Sequence, residues 1–158
     1  MEDYSAGEIS TAEAAELIAF LKTALDDETT ELFAGVSYRH CLVLHKRTEK
    51  AVFTPPHDII GKKIGAYLPA GEDGGFYLGL MMRSAALLAE HPVNRRRVSE
   101  GKRPANSLWL WGAGTKPALP LFERKTGLKG GMISAVDLLK GIGKLAGMRV
   151  IDVPGATG

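Results

Sequence analysis

The sequence predicts two architectures in one chain: an α+β part over residues 1–127 and a β-α-β unit over residues 128–158. In the first part, an amphipathic helix pattern precedes strand-like runs, a proline- and glycine-rich stretch and a second apolar helix, which is typical of an α+β domain. In the last part an apolar strand, a helix and a second strand alternate, which favours a parallel sheet. The length of 158 residues suits one domain, or one domain plus a further piece.

The first helix is predicted over residues 10–27. Ser10 and Glu13 have the spacing of a capping box, in which a hydroxyl and a carboxylate satisfy backbone donors at a helix start. The apolar residues that follow recur at three- and four-residue intervals and therefore predict one buried stripe: Ala14, Leu17, Ile18, Leu21 and Leu25.

Two strands are predicted next, over residues 31–36 and 40–46, joined by a tight turn at residues 37–39 into an antiparallel pair. Residues 47–75 are predicted to be loop, because they are rich in proline and glycine and the Pro55–Pro56 pair excludes a helix. A second, well-buried helix is predicted over residues 76–90, and Pro92 is expected to end or kink it.

The run SLWLW at residues 107–111 is predicted to be a strand that closes at Gly112 and Gly114, and one short helical turn is predicted before residue 128. GMISAV, DLLKGIGKLAGM and RVIDVPG then form the β-α-β unit. The final VPGATG places glycines at the carboxyl end of a strand, where loops of α/β sheets carry function. Because a parallel sheet needs more than two strands to be covered, we expect these residues to belong to a larger enzyme.

Composition excludes several classes of protein. The net charge is only +2, so the chain lacks the general basicity of nucleic-acid binders. Cys41 is the only cysteine, which excludes an intramolecular disulfide and a thiolate metal cage and suits a reducing cytoplasm. The acidic amino terminus is wrong for a signal peptide, and no apolar run reaches the ~18–20 residues that span a membrane. We therefore predict a cytoplasmic protein with no membrane partner.

The stretch HPVNRRRVSEGKR concentrates positive charge at Arg95, Arg96 and Arg97. The planar guanidinium donates two hydrogen bonds at once and suits phosphate and carboxylate. Three interpretations stay open from charge alone: a solvated helix face, a pocket for a small anion, or a nucleic-acid patch. Consecutive helical residues point about 100° apart. At most two of the three arginines can therefore reach one small ligand, and the third should face solvent or an acidic neighbour.

Three further residues have a structural and a functional interpretation each. His40 is either a hydrogen-bonded structural residue or a proton donor to a substrate oxygen. His91 is expected to act as a favourable cation at the end of the second helix. Lys140 lies one turn into the last helix, near the carboxyl end of a strand, and is either an exposed lysine or a ligand contact. GIGK is not a phosphate-binding P-loop, and the sequence shows neither metal-ligand spacing nor a G-x-S-x-G nucleophile.

Four motifs together carry a more specific signal: HPVN-RRR, PAN-x-x-WLWG-x-G, SAVDL-x-KG and VPGATG. With MEDYSAGEISTAEA and GVSYRHCLVL, they resemble the archaeal-type, 2,3-bisphosphoglycerate-independent phosphoglycerate mutases over nearly the whole chain. The resemblance implies an alkaline-phosphatase-like α/β core with an inserted α+β lid that holds glycerate. Residues 1–127 would form the lid and residues 128–158 its return into the core.

The resemblance also implies a chemistry. A serine nucleophile beside a divalent metal pair takes the phosphate of 3-phosphoglycerate and returns it to the 2-hydroxyl, giving 2-phosphoglycerate. Manganese is the usual ion, and Mg, Zn or Co are alternatives. The segments with the nucleophile and the metal ligands are not matched here, so no catalytic or metal residue is assigned and the chain alone is expected to be inactive. The substrate-binding residues that the resemblance implies are Arg39, His40, Asn94, Arg95, Arg96, Arg97 and Lys140, with Asn94 orienting the arginines.

Two alternative functions remain at the level of sequence. The chain could serve a related phosphotransferase that acts on another phosphoester or on a phosphonate such as phosphonopyruvate. It could also be a non-catalytic module that binds anions or RNA, which would show a steep dependence of binding on salt.

Overall fold

A computed structural model describes residues 1–45 and 50–155. The chain divides into two compact units, Met1–Gly114 and Thr115–Gly158. The boundary predicted near residue 127 falls inside the second unit, and the assignment of residues 1–127 and 128–158 to separate domains stays a prediction. No helix in the described ranges is both long enough and apolar enough to cross a membrane.

The first unit is built from helices and antiparallel strand pairs, as an α+β prediction requires. Strands β1 (Thr30–Ala34) and β2 (His40–Leu44) pair antiparallel, with Thr30 opposite Leu44 and Ala34 opposite His40. Strand β3 (Ala51–Val52) pairs antiparallel with β4 (Ala70–Gly71). Two 3₁₀ turns, Pro56–Ile59 and Ile64–Tyr67, lie between β3 and β4. The elements in chain order are α1 (Thr11–Leu25), β1 (Thr30–Ala34), β2 (His40–Leu44), β3 (Ala51–Val52), β4 (Ala70–Gly71), α2 (Gly74–Leu88) and α3 (Pro92–Ser99).

Helix α1 forms as its sequence predicts. The Ser10 hydroxyl accepts the backbone N–H of Glu13 at 3.3 Å, so the start of the helix is capped. All five residues of the predicted apolar stripe are buried. They join the main core of the first unit together with Ile9, Leu32, Leu80, Leu88 and Val93.

The turn between β1 and β2 is fixed by the start of α1. Ser37 has a positive φ of 55°, a conformation that non-glycine residues adopt only with support from their surroundings. Its hydroxyl donates to the Ile9 carbonyl at 2.6 Å and its N–H to the Thr11 hydroxyl at 3.1 Å. The predicted antiparallel pair is confirmed, but both strands are shorter than predicted, and Lys46 lies outside the described residues.

Two sequence predictions in the first unit are wrong. Residues 107–111 form no strand, and the backbone N–H of Leu108 donates to the Ser84 hydroxyl at 3.0 Å rather than to a neighbouring strand. The Trp109 indole donates to the Thr54 carbonyl at 2.9 Å. The part of 47–75 that the structure describes is also not all loop, since it contains β3, β4, both 3₁₀ turns and the start of α2 at Gly74.

The second unit contains the predicted β-α-β arrangement. Its elements are α4 (Phe122–Thr126), β5 (Gly131–Met132), α5 (Asp137–Leu145) and β6 (Arg149–Val150). Strands β5 and β6 are parallel, with Gly131 opposite Arg149. A Cβ on Gly143 would lie 2.8 Å from the Cβ of Met132. Glycine at that position therefore allows α5 to pack closely on β5.

Candidate anion-binding site

The arginine run lies on α3, whose start is fixed by His91 and Pro92. The His91 Nδ1 accepts the N–H of Val93 at 3.3 Å, and its ring lies 4.7 Å from that of Phe20. Pro92 occupies the first helical position, where no backbone donor is needed. The expectation that His91 acts as a cation at the end of α2 is wrong: it caps the start of α3, and an accepting Nδ1 carries no proton.

Asn94 holds α3 in place by hydrogen bonds to the backbone. Its amide donates to the Leu88 carbonyl at 2.9 Å and the Ala105 carbonyl at 2.8 Å, while its oxygen accepts the Ala105 N–H at 2.9 Å. The side chain is buried. The resemblance implies that Asn94 orients the arginines, and these contacts fix their helix against the end of α2 and residue 105.

Arg97 is the buried member of the run, with 3% of its side chain exposed. Its Nε donates to the Arg103 carbonyl at 2.9 Å, its Nη1 to Glu13 Oε2 at 2.8 Å and its Nη2 to the Ala6 carbonyl. A buried guanidinium needs such a counter-ion and such acceptors. Arg97 is therefore the arginine that is buried against an acidic neighbour, and its donors are turned into the fold.

Glu13 connects α1 to this run. It accepts the Ser10 hydroxyl at 2.8 Å, and its Oε1 lies 3.9 Å from Nη2 of Arg96. The Ser10 hydroxyl holds the pKa of Glu13 below its usual value, an effect that burial opposes and the charge of Arg97 reinforces. The carboxylate is thus ionised at neutral pH and serves as the counter-ion of Arg97.

Arg95 and Arg96 leave their charge accessible to solvent. Arg95 pairs with Glu90, but the two side chains are 66% and 77% exposed, and pairs so exposed are weak. Arg96 is 49% exposed, and the one ion pair that its guanidinium makes within residues 1–45 and 50–155 is the distant contact with Glu13. Arg95 also borders an open groove of about 400 Å³ that is lined by Leu88, Ala89, Glu90, Asn94, Val98, Ser99, Pro104 and Asn106.

Arg39 and His40 stand where β2 begins. The Nδ1 of His40 accepts the Gly35 N–H at 3.2 Å, so the neutral ring carries its proton on Nε2. Burial lowers the pKa of His40, which keeps the ring neutral at neutral pH. Arg39 is exposed. The pair therefore offers one neutral donor and one cation at the same end of the hairpin.

Residues 3–13, which we call the N-terminal segment, contact both the hairpin turn that precedes Arg39 and the arginine helix α3. Ser37 of the hairpin turn bonds to Ile9 and Thr11, while Arg97 of α3 bonds to Ala6 and Glu13. The segment is itself fixed by Asp3, which accepts the N–H groups of Ser5 and Gly7, the Ser5 hydroxyl and Arg103. The start of the hairpin strand β2 and the arginine helix α3 thus border one short stretch of chain.

Two acidic residues of this arrangement, Asp3 and Glu13, are not predicted as site residues from the sequence. Burial alone would raise the pKa of Asp3, but bonds from Ser5, Arg103 and Gly7 outweigh it and hold that pKa well below its usual value. Glu13 is recognisable in the sequence only as part of a helix cap. The capping motif is the one available signal, and it gives no indication of a partner 84 residues away.

Lys140 belongs to the second unit. Its Nζ donates to Asp152 Oδ1 at 2.6 Å, and this bond raises the pKa of Lys140 against the opposing effect of burial. The Asp152 side chain is 80% exposed. Lys140 also lines a groove of about 410 Å³ together with Gly141, Lys144, Met148 and Val150.

The described residues do not assemble a metal centre. Within the ranges 1–45 and 50–155, no group of three or more His, Cys, Asp and Glu side chains is placed to hold an ion. The divalent metal that the resemblance implies therefore does not fit the side chains described here.

Comparison with known proteins identifies the family. Residues 1–94 match the family model described as 2,3-bisphosphoglycerate-independent phosphoglycerate mutase. The enzyme of that name from Methanothrix thermoacetophila is 55% identical over the whole chain, and that from Methanosarcina acetivorans is 51% identical. The chain spans 40% of the length of each.

Solved structures agree with this assignment. The cofactor-independent phosphoglycerate mutase of Thermoplasma acidophilum superposes with a TM-score of 0.60 and 28% identity, over 96% of this chain and 43% of its own. A Pyrococcus horikoshii protein superposes with a TM-score of 0.66 and 25% identity, over 96% of this chain and 36% of its own. The chain belongs to the 2,3-bisphosphoglycerate-independent phosphoglycerate mutase family.

Proposed function

We propose that this chain is the substrate-binding part of a mutase that interconverts 3-phosphoglycerate and 2-phosphoglycerate through a phosphoserine intermediate. The observation that carries the proposal is the 55% identity, over the full length of the chain, to a relative named as such a mutase. Under this proposal the first part of the chain is the inserted lid and residues 128–158 belong to the alkaline-phosphatase-like core. The protein acts in the cytoplasm, without nucleic-acid or membrane partners.

The accessible cations suit the substrate. Phosphoglycerate carries a phosphate and a carboxylate, and phosphoryl transfer depends mostly on positioning and on stabilising charge. Because Arg97 is buried against Glu13, we assign the anion contacts of α3 to Arg95 and Arg96. Arg39 supplies a further cation, and the Nε2 proton of His40 supplies a neutral donor to a substrate oxygen.

Lys140 is proposed as a phosphate contact from the second unit. Its present partner, Asp152, is largely exposed, so the ion pair is readily exchanged for a ligand oxygen. A lid that closes over the substrate would also keep the freed glycerate from escaping during re-orientation. The manganese chemistry that the family implies would be supplied by residues other than those described here, and no step of this proposal involves it.

Binding of 3-phosphoglycerate to the 158-residue chain tests the proposal. We expect NMR titration to shift the side-chain Nε–Hε resonances of Arg95 and Arg96, and Arg96→Ala to weaken binding about tenfold, as loss of a charged hydrogen bond does. Glycerate and inorganic phosphate, titrated separately, identify which end of the substrate each arginine contacts. Arg83→Ala, on α2, is the matched control for a lost arginine.

Three outcomes would count against this assignment. A chain that binds phosphonopyruvate but not 3-phosphoglycerate would favour the related phosphotransferase. Steeply salt-dependent binding of RNA would favour the non-catalytic module. No binding of any of these ligands would remove the substrate-binding role altogether.

A further inference from the structure

We propose that Glu13 and Arg97 form a positioning pair, which holds α3 so that Arg96 is presented to the substrate while Arg97 never touches it. This inference rests on the proposed function and deepens it. The resemblance implies substrate-binding roles for the arginine run as a whole, and the sequence identifies Glu13 only as part of a helix cap. The division of the run into a ligand and a support comes from the contacts of Arg97 and Glu13.

The contacts of Arg97 show why it is a support. Its guanidinium reaches three separate parts of the chain: the Ala6 carbonyl, the Glu13 carboxylate and the Arg103 carbonyl. Because only 3% of its side chain is exposed, Arg97 offers no accessible surface that a glycerate-sized anion could contact. Its bonds instead fix α3 to α1, to the N-terminal segment and to the chain that leaves α3.

The charges of the cluster show why Arg96 is the ligand. Glu13 is one carboxylate between two guanidinium groups, at 2.8 Å from Arg97 and 3.9 Å from Arg96. It neutralises the closer and more buried of the two, because an unpaired buried charge is costly. The excess positive charge therefore remains on Arg96, which is half exposed and adjacent on the helix.

The inference predicts a particular response to removing the pair as a unit. Glu13→Gln combined with Arg97→Met leaves the summed charge of the two residues at zero, as in the native chain. Replacing a buried ion pair by neutral side chains of similar volume is often tolerated, so the double variant should fold. Without the anchor, Arg96 must be ordered by the ligand itself, and the Kd for 3-phosphoglycerate should rise about threefold to tenfold, the typical effect of immobilising one long side chain.

The experiment follows the arginine Nε–Hε resonances during 3-phosphoglycerate titration of the native chain, the double variant and Leu25→Ala. Leu25 is buried at the opposite end of α1, so its truncation controls for lost stability without touching the pair. We expect the Arg96 resonance to shift and the Arg97 resonance to stay fixed in the native chain. The double variant should bind more weakly, and Leu25→Ala should bind as the native chain does.

Each other outcome has a defined meaning. A native chain that binds no 3-phosphoglycerate removes the proposed function and this inference together. Two results overturn the inference alone, provided that the native chain binds 3-phosphoglycerate. One is a double variant that binds as tightly as the native chain, and the other is an Arg97 resonance in the native chain that moves as far as that of Arg96. If the double variant does not fold, Arg97→Lys is measured in its place. This variant keeps the positive charge but loses the guanidinium that donates to both the Ala6 and the Arg103 carbonyls. Native affinity for 3-phosphoglycerate in Arg97→Lys would overturn the inference.

Discussion

The hydrogen bonds of single side chains decide which predicted site residues are buried and which stay accessible to solvent. Arg95, Arg96 and Arg97 are equivalent in sequence, yet only Arg97 is buried, because Glu13 and two carbonyl groups satisfy it. Helix geometry predicted that one arginine would differ from the others. The sequence could not predict which arginine would be buried, because the partners of Arg97 lie 84 and 91 residues away and leave no local pattern.

His40 gives a residue-scale prediction about pH. Burial lowers the pKa of His40 in the folded chain from the usual histidine value of 6.5, so the unfolded chain binds the proton more readily. The contribution of His40 to the free energy of unfolding is therefore fully present above pH 6.5 and is lost as pH falls below that value. His40→Asn keeps an acceptor for the Gly35 N–H but does not titrate.

Urea denaturation at about pH 7.5 and about pH 5.5, on either side of that value, measures this effect. The native chain should lose more stability between the two conditions than His40→Asn does. The other histidines are present in both proteins, so their contributions cancel in the comparison. An equal loss in the two proteins would show that folding does not lower the pKa of His40.

At the scale of elements, local patterns predicted helices well and isolated strands poorly. Helix α1 has both a cap and a stripe, and these are local signals that packing reinforces. The run SLWLW has only hydrophobicity, which suits either a strand or an extended segment packed on a helix. Ser84 favours the extended segment, because its hydroxyl accepts the Leu108 N–H that a neighbouring strand would have accepted. The Trp109 indole also donates to the Thr54 carbonyl.

Helix α3 gives an element-scale prediction. His91→Ala removes the acceptor for the Val93 N–H and should lower the free energy of unfolding by about 0.5–2 kcal/mol, the usual effect of losing a helix cap. His91→Asn supplies an oxygen in its place and should recover part of that loss. Thermal denaturation of the three proteins provides the measurement, and equal stability of the Ala and Asn variants would contradict a capping role.

At the scale of the whole molecule, the chain carries solvent-accessible cationic side chains, and its relatives are enzymes more than twice its length. The α+β part and the parallel β-α-β unit were both predictable from the order of elements along the chain. Their assignment to a lid and a core depends on the family resemblance. Hydrophobic periodicity predicts which segments form helices and strands, but it does not predict the role of those segments in a larger protein.

The most direct measurement of the central claim replaces the matching segment of the Methanothrix thermoacetophila enzyme with this chain and assays mutase activity in the presence of manganese. The account predicts that the chimera converts 3-phosphoglycerate to 2-phosphoglycerate. It also predicts that Arg96→Ala lowers kcat/KM by about 10²-fold or more, as removal of a fixed donor to developing charge does. A folded chimera that converts no 3-phosphoglycerate, under conditions in which the parent enzyme does, would contradict it.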